Sequence, residues 1–169
     1  MMASSSEIFA QQFERIQKLK ALCLSQSGAA FLESKGILKS LADGLKDEAI
    51  ALLTQNNIKL LPMKSPASLF TPTKAISPAT PIIVIDIQPF LTMSVQERLV
   101  VILHEIGHVL SPDGDTLTRE IAADQFVFES GYGKALLTSL EYHLDADPSD
   151  GENEINEKRI EHLRIQLAQ

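Results

Sequence analysis

The sequence predicts a mainly helical α+β domain carrying a small sheet, and three observations predict it. Most apolar residues recur at spacings of three and four, which marks one face of a helix. Two short runs, 58–61 and 82–87, read as strands. One apolar segment, LVVILHEIGHVL at residues 99–110, is interrupted by His104, Glu105 and His108. A buried helix has no use for three such groups unless they have partners, because an unpaired buried charge costs several kcal/mol.

Taken in order, Phe9, Phe13, Ile16, Leu19 and Cys23 predict an amphipathic helix from Glu7 to about Ser25. Residues 28–34 read as a short helical turn. Leu38, Leu41, Leu45, Ala49 and Leu52 predict one long helix over 38–54, punctuated by Asn56 and Asn57. The strand 58–61 follows, ending before Pro62. Residues 62–81 hold five of the eight prolines, which reads as a surface connection with turns; a flap beside a cleft is the alternative.

The run PIIVIDI predicts a strand over 82–87, too uniformly apolar to be open on both faces. Ser94 and Glu97 form a capping-box pattern that starts the motif helix near Val95. Ser111-Pro112 stops that helix, because proline lacks an amide and disfavours helix in the residue before it. A tight turn over 112–115 leads into a helix ending at Gly131. Further helices are predicted over 133–144 and 154–166, separated by an acidic loop. The chain thus reads as a single domain, 1–169. It comprises N-terminal helices over 7–61, the proline-rich connection 62–81, a strand–helix–helix core over 82–130 and C-terminal helices over 133–167.

At 169 residues, 44% hydrophobic and 22% charged, the chain has the composition of a folded domain with a sizeable core. Its net charge of −7 argues against nucleic acid as the main partner, since binding phosphates needs a basic surface. The single cysteine, Cys23, reads as a small buried thiol. Charges interrupt the N-terminal stretch, which is not the pattern of a signal peptide. No run reaches the roughly 18 apolar residues of a membrane span. These features predict a cytoplasmic location with no membrane partner; the oligomeric state is open.

His104 and His108 are four apart, so on a helix they stack on one face and can aim their imidazoles at a common point. Glu105 lies beside them, about a third of a turn away. This is the HExxH arrangement, with two zinc ligands and a general base. A catalytic zinc takes a third protein ligand and keeps one position open. Glu120 is the leading candidate, because the turn after the motif helix reverses the chain and presents Glu120 from an antiparallel neighbour. Ala122 and Ala123 let the two helices approach closely. Asp124, one turn further, suits a carboxylate that accepts a hydrogen bond from the far nitrogen of a ligand histidine. The turn acids Asp113 and Asp115 are weaker ligand candidates. His143, Tyr132 and Tyr142 are candidates for stabilising charge in the transition state, each against a plainer reading as a surface or lightly buried polar group. The implied cofactor is Zn2+. The implied chemistry is hydrolysis of a peptide bond, with Glu105 taking a proton from the attacking water and passing it to the leaving amine. The 82–87 strand is positioned in sequence to pair with an extended substrate.

HEIGH followed by ExxAD resembles the glutamate-zincin peptidases. There the two histidines and the downstream glutamate bind zinc and the first motif glutamate is the base. The order of strand, HEIGH helix, short turn and ExxAD helix over 82–130 is most similar to the small ImmA/IrrE-like metallopeptidases of phages, mobile elements and bacteria. The resemblance implies a zincin-like minimal metallopeptidase domain that acts on an intracellular or viral protein. The Ste24/HtpX-like peptidases share the ExxAD helix and a late arginine–isoleucine pair, similar to Arg159-Ile160 here, but carry membrane spans. The metzincin pattern does not fit, since Ser111 and Gly114 stand where its glycine and third histidine belong. Two other functions compete with peptidase activity. One is a zincin-fold binding or structural protein with little turnover; the other is a zinc amidohydrolase with a small closed pocket.

Overall fold

Helices make up most of the computed structural model, which describes residues 5–63, 81–146 and 153–169. The described residues fall into two compact units, one within Met1–Met93 and one within Ser94–Gln169. The mainly helical α+β class with a small sheet is the one the sequence predicts. The proline-rich stretch 64–80 and the acidic loop 147–152 lie outside the described residues, so the expectations placed on them are not addressed.

The first unit holds α1 (Ser5–Leu22), α2 (Gln26–Ser34), α3 (Ile37–Gly44), α4 (Asp47–Gln55), β1 (Lys59–Met63), β2 (Ile82–Asp86) and α5 (Ile87–Thr92). The amphipathic reading of α1 holds at Leu19, which is fully buried, but Phe9 and Phe13 are 72% and 65% exposed. The helix predicted over 38–54 is two helices. Leu45 is extended at ψ 141° and Lys46 at ψ 157°, and Asp47 and Glu48 open a new first turn, where negative charge suits the helix dipole. The apolar spacing runs unbroken across this corner: Leu38, Leu41, Leu45 and Ala49 are all buried. Arg15 secures it by donating to the Leu45 carbonyl and pairing with Asp47.

The sheet has two parallel strands, with Leu60 opposite Ile83 and Pro62 opposite Ile85. β1 runs through Pro62, past the end predicted for it. Lys59 donates to the Pro81 carbonyl, while the Leu60 carbonyl accepts from Leu24. Alternate residues face opposite sides of a strand, so Pro62 points away from β2 and its missing amide costs no ladder bond. In β2, Ile83 and Ile85 are buried while Ile82 and Val84 are half-buried. The strand ends one residue early, because Asp86 caps α5 by accepting from the Gln88 amide at 3.1 Å.

The second unit comprises α6 (Val95–Leu110), α7 (Thr116–Val127), α8 (Gly133–Ala146) and α9 (Asn153–Leu167). α6 packs on α7 and α8, and α9 packs on α7 and α8. The capping box forms as predicted: the Glu97 amide donates to Ser94 Oγ at 3.3 Å, and the Ser94 amide donates to Glu97 Oε2 at 2.6 Å. No residue from Arg98 to Ser111 is exposed. Asp115 caps α7 by accepting from the Thr118 amide at 2.8 Å. Between α7 and α8 a single π-helical turn, Phe128–Tyr132, kinks at Gly131, whose φ of 94° suits glycine. The core contains Leu99, Ile102, Leu103, Ile106, Val127, Leu136, Ile160 and Leu163. Each such side chain contributes about 1.5–3 kcal/mol when fully removed from water.

Candidate metal centre

α6 supplies His104, Glu105 and His108, and α7 supplies Glu120 and Asp124. What lets these two helices meet is the residue just before the motif's second histidine. A Cβ built on Gly107 would lie 2.6 Å from the Ala123 Cα and 3.0 Å from its carbonyl oxygen. Gly107 is therefore required by backbone contact with Ala123. The line of α7 that is fully buried is Ala123, Asp124 and Val127, whereas Leu117, Ile121, Phe126 and Phe128 are half-buried.

With the helices this close, one ligating atom each from His104, His108 and Glu120 lies within 4.8 Å of the others. His104 Nε2 is 3.2 Å from Glu120 Oε2, and His108 Nε2 is 3.3 Å from Glu120 Oε1. Direct charge-assisted hydrogen bonds are shorter, about 2.7–2.9 Å. Nitrogen and oxygen ligands held about 2.0–2.1 Å from a tetrahedral zinc stand about 3.3 Å apart. The donor set and its spacing can hold a metal ion. The two imidazoles meet edge to face, with centroids 4.5 Å apart.

Behind the ligands, Asp124 is the one buried charged residue among those described, at 1% exposure. Its Oδ1 lies 3.0 Å from His104 Nδ1, near enough for charge attraction but short of the alignment of a full hydrogen bond. Arg159, from α9, forms a fork on the same carboxylate, Nε to Oδ2 and Nη2 to Oδ1, both at 2.8 Å. Its Nη1 reaches Glu120 Oε2 at 3.3 Å and donates to Asn156 Oδ1 at 3.1 Å.

The electrostatics follow from these contacts. Burial would by itself lower the His104 pKa, but Asp124 and Glu120 outweigh it and raise the imidazole to about 9 in the metal-free protein. Burial would raise the Glu120 carboxyl, yet both imidazoles and the Arg159 guanidinium hold it well below the usual carboxylate range. Asp124 is shifted down in the same way, with Arg159 as the main opposing influence to burial. Glu105 differs. Burial pushes it up, the two histidines pull it down and Glu120 raises it further, with a net upward shift. Among the described residues its carboxylate is held by no hydrogen bond or ion pair.

The remaining candidates are placed as follows. Asp115 serves as the α7 cap, and Asp113 is exposed in the turn. Tyr142 and His143 meet edge to face at 5.7 Å on α8, and Tyr142 is 69% exposed. His143 has Glu97 as an electrostatic neighbour, in the first turn of α6 and about two turns before His104. Tyr132 is half-buried in the π-helical turn.

Two residues that matter here carry no role from sequence reasoning alone, Gly107 and Arg159. A signal for Arg159 does exist: it stands on the same face of α9 as the buried Leu163, four residues on. A long cation on a buried face needs an anion, and Asp124 is that anion.

No helix among the described residues is long and apolar enough to cross a membrane. Compared with known protein families, curated proteins and solved structures, the chain matches none, and nothing ties it to the ImmA/IrrE-like peptidases in particular. Its own geometry gives a clustered His104–His108–Glu120 site of the generic zincin-like kind.

Proposed function

We propose that this chain is a zinc-dependent peptidase in which His104, His108 and Glu120 hold the metal and Glu105 is the general base. One observation carries the reading: Glu105, whose carboxylate has no hydrogen bond or ion pair among the described residues, stands beside a three-residue set that can hold a metal ion. The donor set of two imidazoles and one carboxylate is that of a catalytic zinc, which leaves a coordination position open. When bound, the ion polarises a carbonyl and makes water acidic enough to attack near neutral pH.

The protein's own residues do the rest. Glu105, raised by burial, accepts a proton from the attacking water and gives it to the leaving amine. Asp124 lies against the far nitrogen of His104 and favours the tautomer protonated there, which leaves the Nε2 lone pair for the metal. Gly107 sets the distance between the two helices that carry the ligands. The substrate class is a protein or peptide. A binding or structural role without turnover would suit a Glu105 tied into an ion pair, and the described residues provide no such tie.

The test measures bound metal together with cleavage of unfolded casein and a randomised peptide library. Wild-type protein is expected to hold one zinc and cleave, and Glu105→Gln to hold the zinc without cleaving. Zinc bound equally by both, with no cleavage by either across the library, would overturn the enzyme reading and leave the metal site standing.

A further inference from the structure

Arg159 closes a ring of contacts around the site. It binds Asp124 through two parallel bonds at 2.8 Å and approaches Glu120 Oε2 at 3.3 Å. Both carboxylates in turn contact His104, Asp124 at Nδ1 and Glu120 at Nε2. The guanidinium is therefore in touch with one ligand directly and with a second through a single carboxylate. Asn156, one turn earlier on α9, accepts from Nη1 at 3.1 Å and fixes the rotation of the fork. Nothing else in the described residues brings a cation to the buried Asp124 besides Arg159 and His104.

The charge count gives this arrangement a purpose. Glu105, Glu120 and Asp124 are three carboxylates within one cluster, and a bound dication balances two of them. The guanidinium balances the third, which removes the penalty for an uncompensated buried charge. Shape matters as much as charge. A planar fork holds a carboxylate in a defined plane, while the ammonium of lysine is a mobile point charge.

We infer that Arg159 is a positioning residue for the metal site: its fork pins Asp124 against His104 and its Nη1 sets the Glu120 oxygen offered to the metal. This role rests on the metal reading above and extends it to α9, a helix that contributes no ligand. The His104 ring cannot swing without breaking contact with a carboxylate that Arg159 holds in place. Glu120 Oε2 is likewise held between His104 and Nη1.

The test compares wild type, Arg159→Lys and Arg159→Met, each checked metal-free by far-UV circular dichroism. Co2+ serves as a spectroscopic probe, and Zn2+ affinity is read by competition with a chelator. Both variants are expected to bind about 10–100-fold more weakly, as outer partners of metal ligands typically require, and to show altered Co2+ visible bands. Arg159→Lys matching wild type in affinity and spectrum would overturn the inference, since charge alone would then suffice. Arg159→Met matching wild type would overturn it too. Should Arg159→Met fail to fold, Arg159→Lys carries the comparison, because it keeps the charge at the same place.

A metal-free readout separates this inference from the metal reading. In long-range 15N–1H spectra of the histidine rings, Arg159→Lys is expected to shift the His104 signals and leave those of His143 in place. Unmoved His104 signals would overturn the positioning role whether or not metal binds. A wild type that binds neither Co2+ nor Zn2+ would overturn the metal reading itself.

Discussion

Gly107 and Ala123 are in backbone contact: a methyl group on Gly107 would stand 2.6 Å from the Ala123 Cα. The contact sets the separation of the helices that carry the three candidate ligands. Gly107→Ala is therefore expected to destabilise the protein by about 1–3 kcal/mol, as overpacking does, and to weaken zinc binding. Urea unfolding and chelator competition measure the two effects. Ala123→Gly should not rescue it, because the clash is with main chain. A Gly107→Ala protein with wild-type stability and zinc affinity would mean the helices part without consequence.

Glu120 is half-buried and serves both imidazoles. Replacing it by alanine should drop the metal content of purified protein from about one zinc per chain to a small fraction. The metal-free fold should move by no more than about 1 kcal/mol, the usual scale of a single substitution. Metal analysis and thermal melting check this. Full zinc content in Glu120→Ala would remove Glu120 from the ligand set.

Asp124→Ala should behave differently, because it strands a guanidinium whose side chain is 11% exposed. Removing one partner of a buried pair costs about 3–5 kcal/mol, and Arg159 retains Glu120 and Asn156, so a loss near the lower figure is expected by urea unfolding. A loss under about 1 kcal/mol would show that the pair behaves like one at the surface.

Glu97 gives a pH signature far from the metal. The Ser94 hydroxyl and amide hold its carboxyl below the ordinary value. A carboxyl lowered on folding adds stability above its unfolded pKa and loses it as pH falls through the folded one. The stability gap between wild type and Glu97→Ala is thus expected to be present at pH 6 and to narrow below about pH 4. Equilibrium unfolding at several pH values reads it directly. A gap of constant size down to pH 3 would mean the ionised carboxylate is not what caps α6.

Local patterns were the legible part of the sequence. Ser94 and Glu97 started α6 at the right residue, and the spacing of His104, His108 and Glu120 was enough to bring those groups together. Long-range partners left weaker traces. Arg159 is 35 residues from Asp124, and nothing near it names the anion it serves. The corner at Leu45 was hidden because the apolar residues keep helical spacing through it, although Gly44 before it and Asp47-Glu48 after it were the signals of a stop and a new start. Gly107 leaves no legible trace, because a glycine within a helix says nothing by itself about the neighbour pressed against it. The exposure of Phe9 and Phe13 has no counterpart in a periodicity that merely counts apolar residues.

The turn between α6 and α7 places eleven residues between His108 and Glu120, and this brevity has a kinetic consequence. All three candidate ligands lie within one helical hairpin, so bringing them together closes only a short loop, at small entropic expense. Contacts of such low sequence separation favour fast folding. The guanidinium arrives with α9, 35 residues after Asp124. A nascent chain released up to α8 would already hold the metal-binding hairpin, and docking of α9 would be the event that turns a loose chelator into a fixed site.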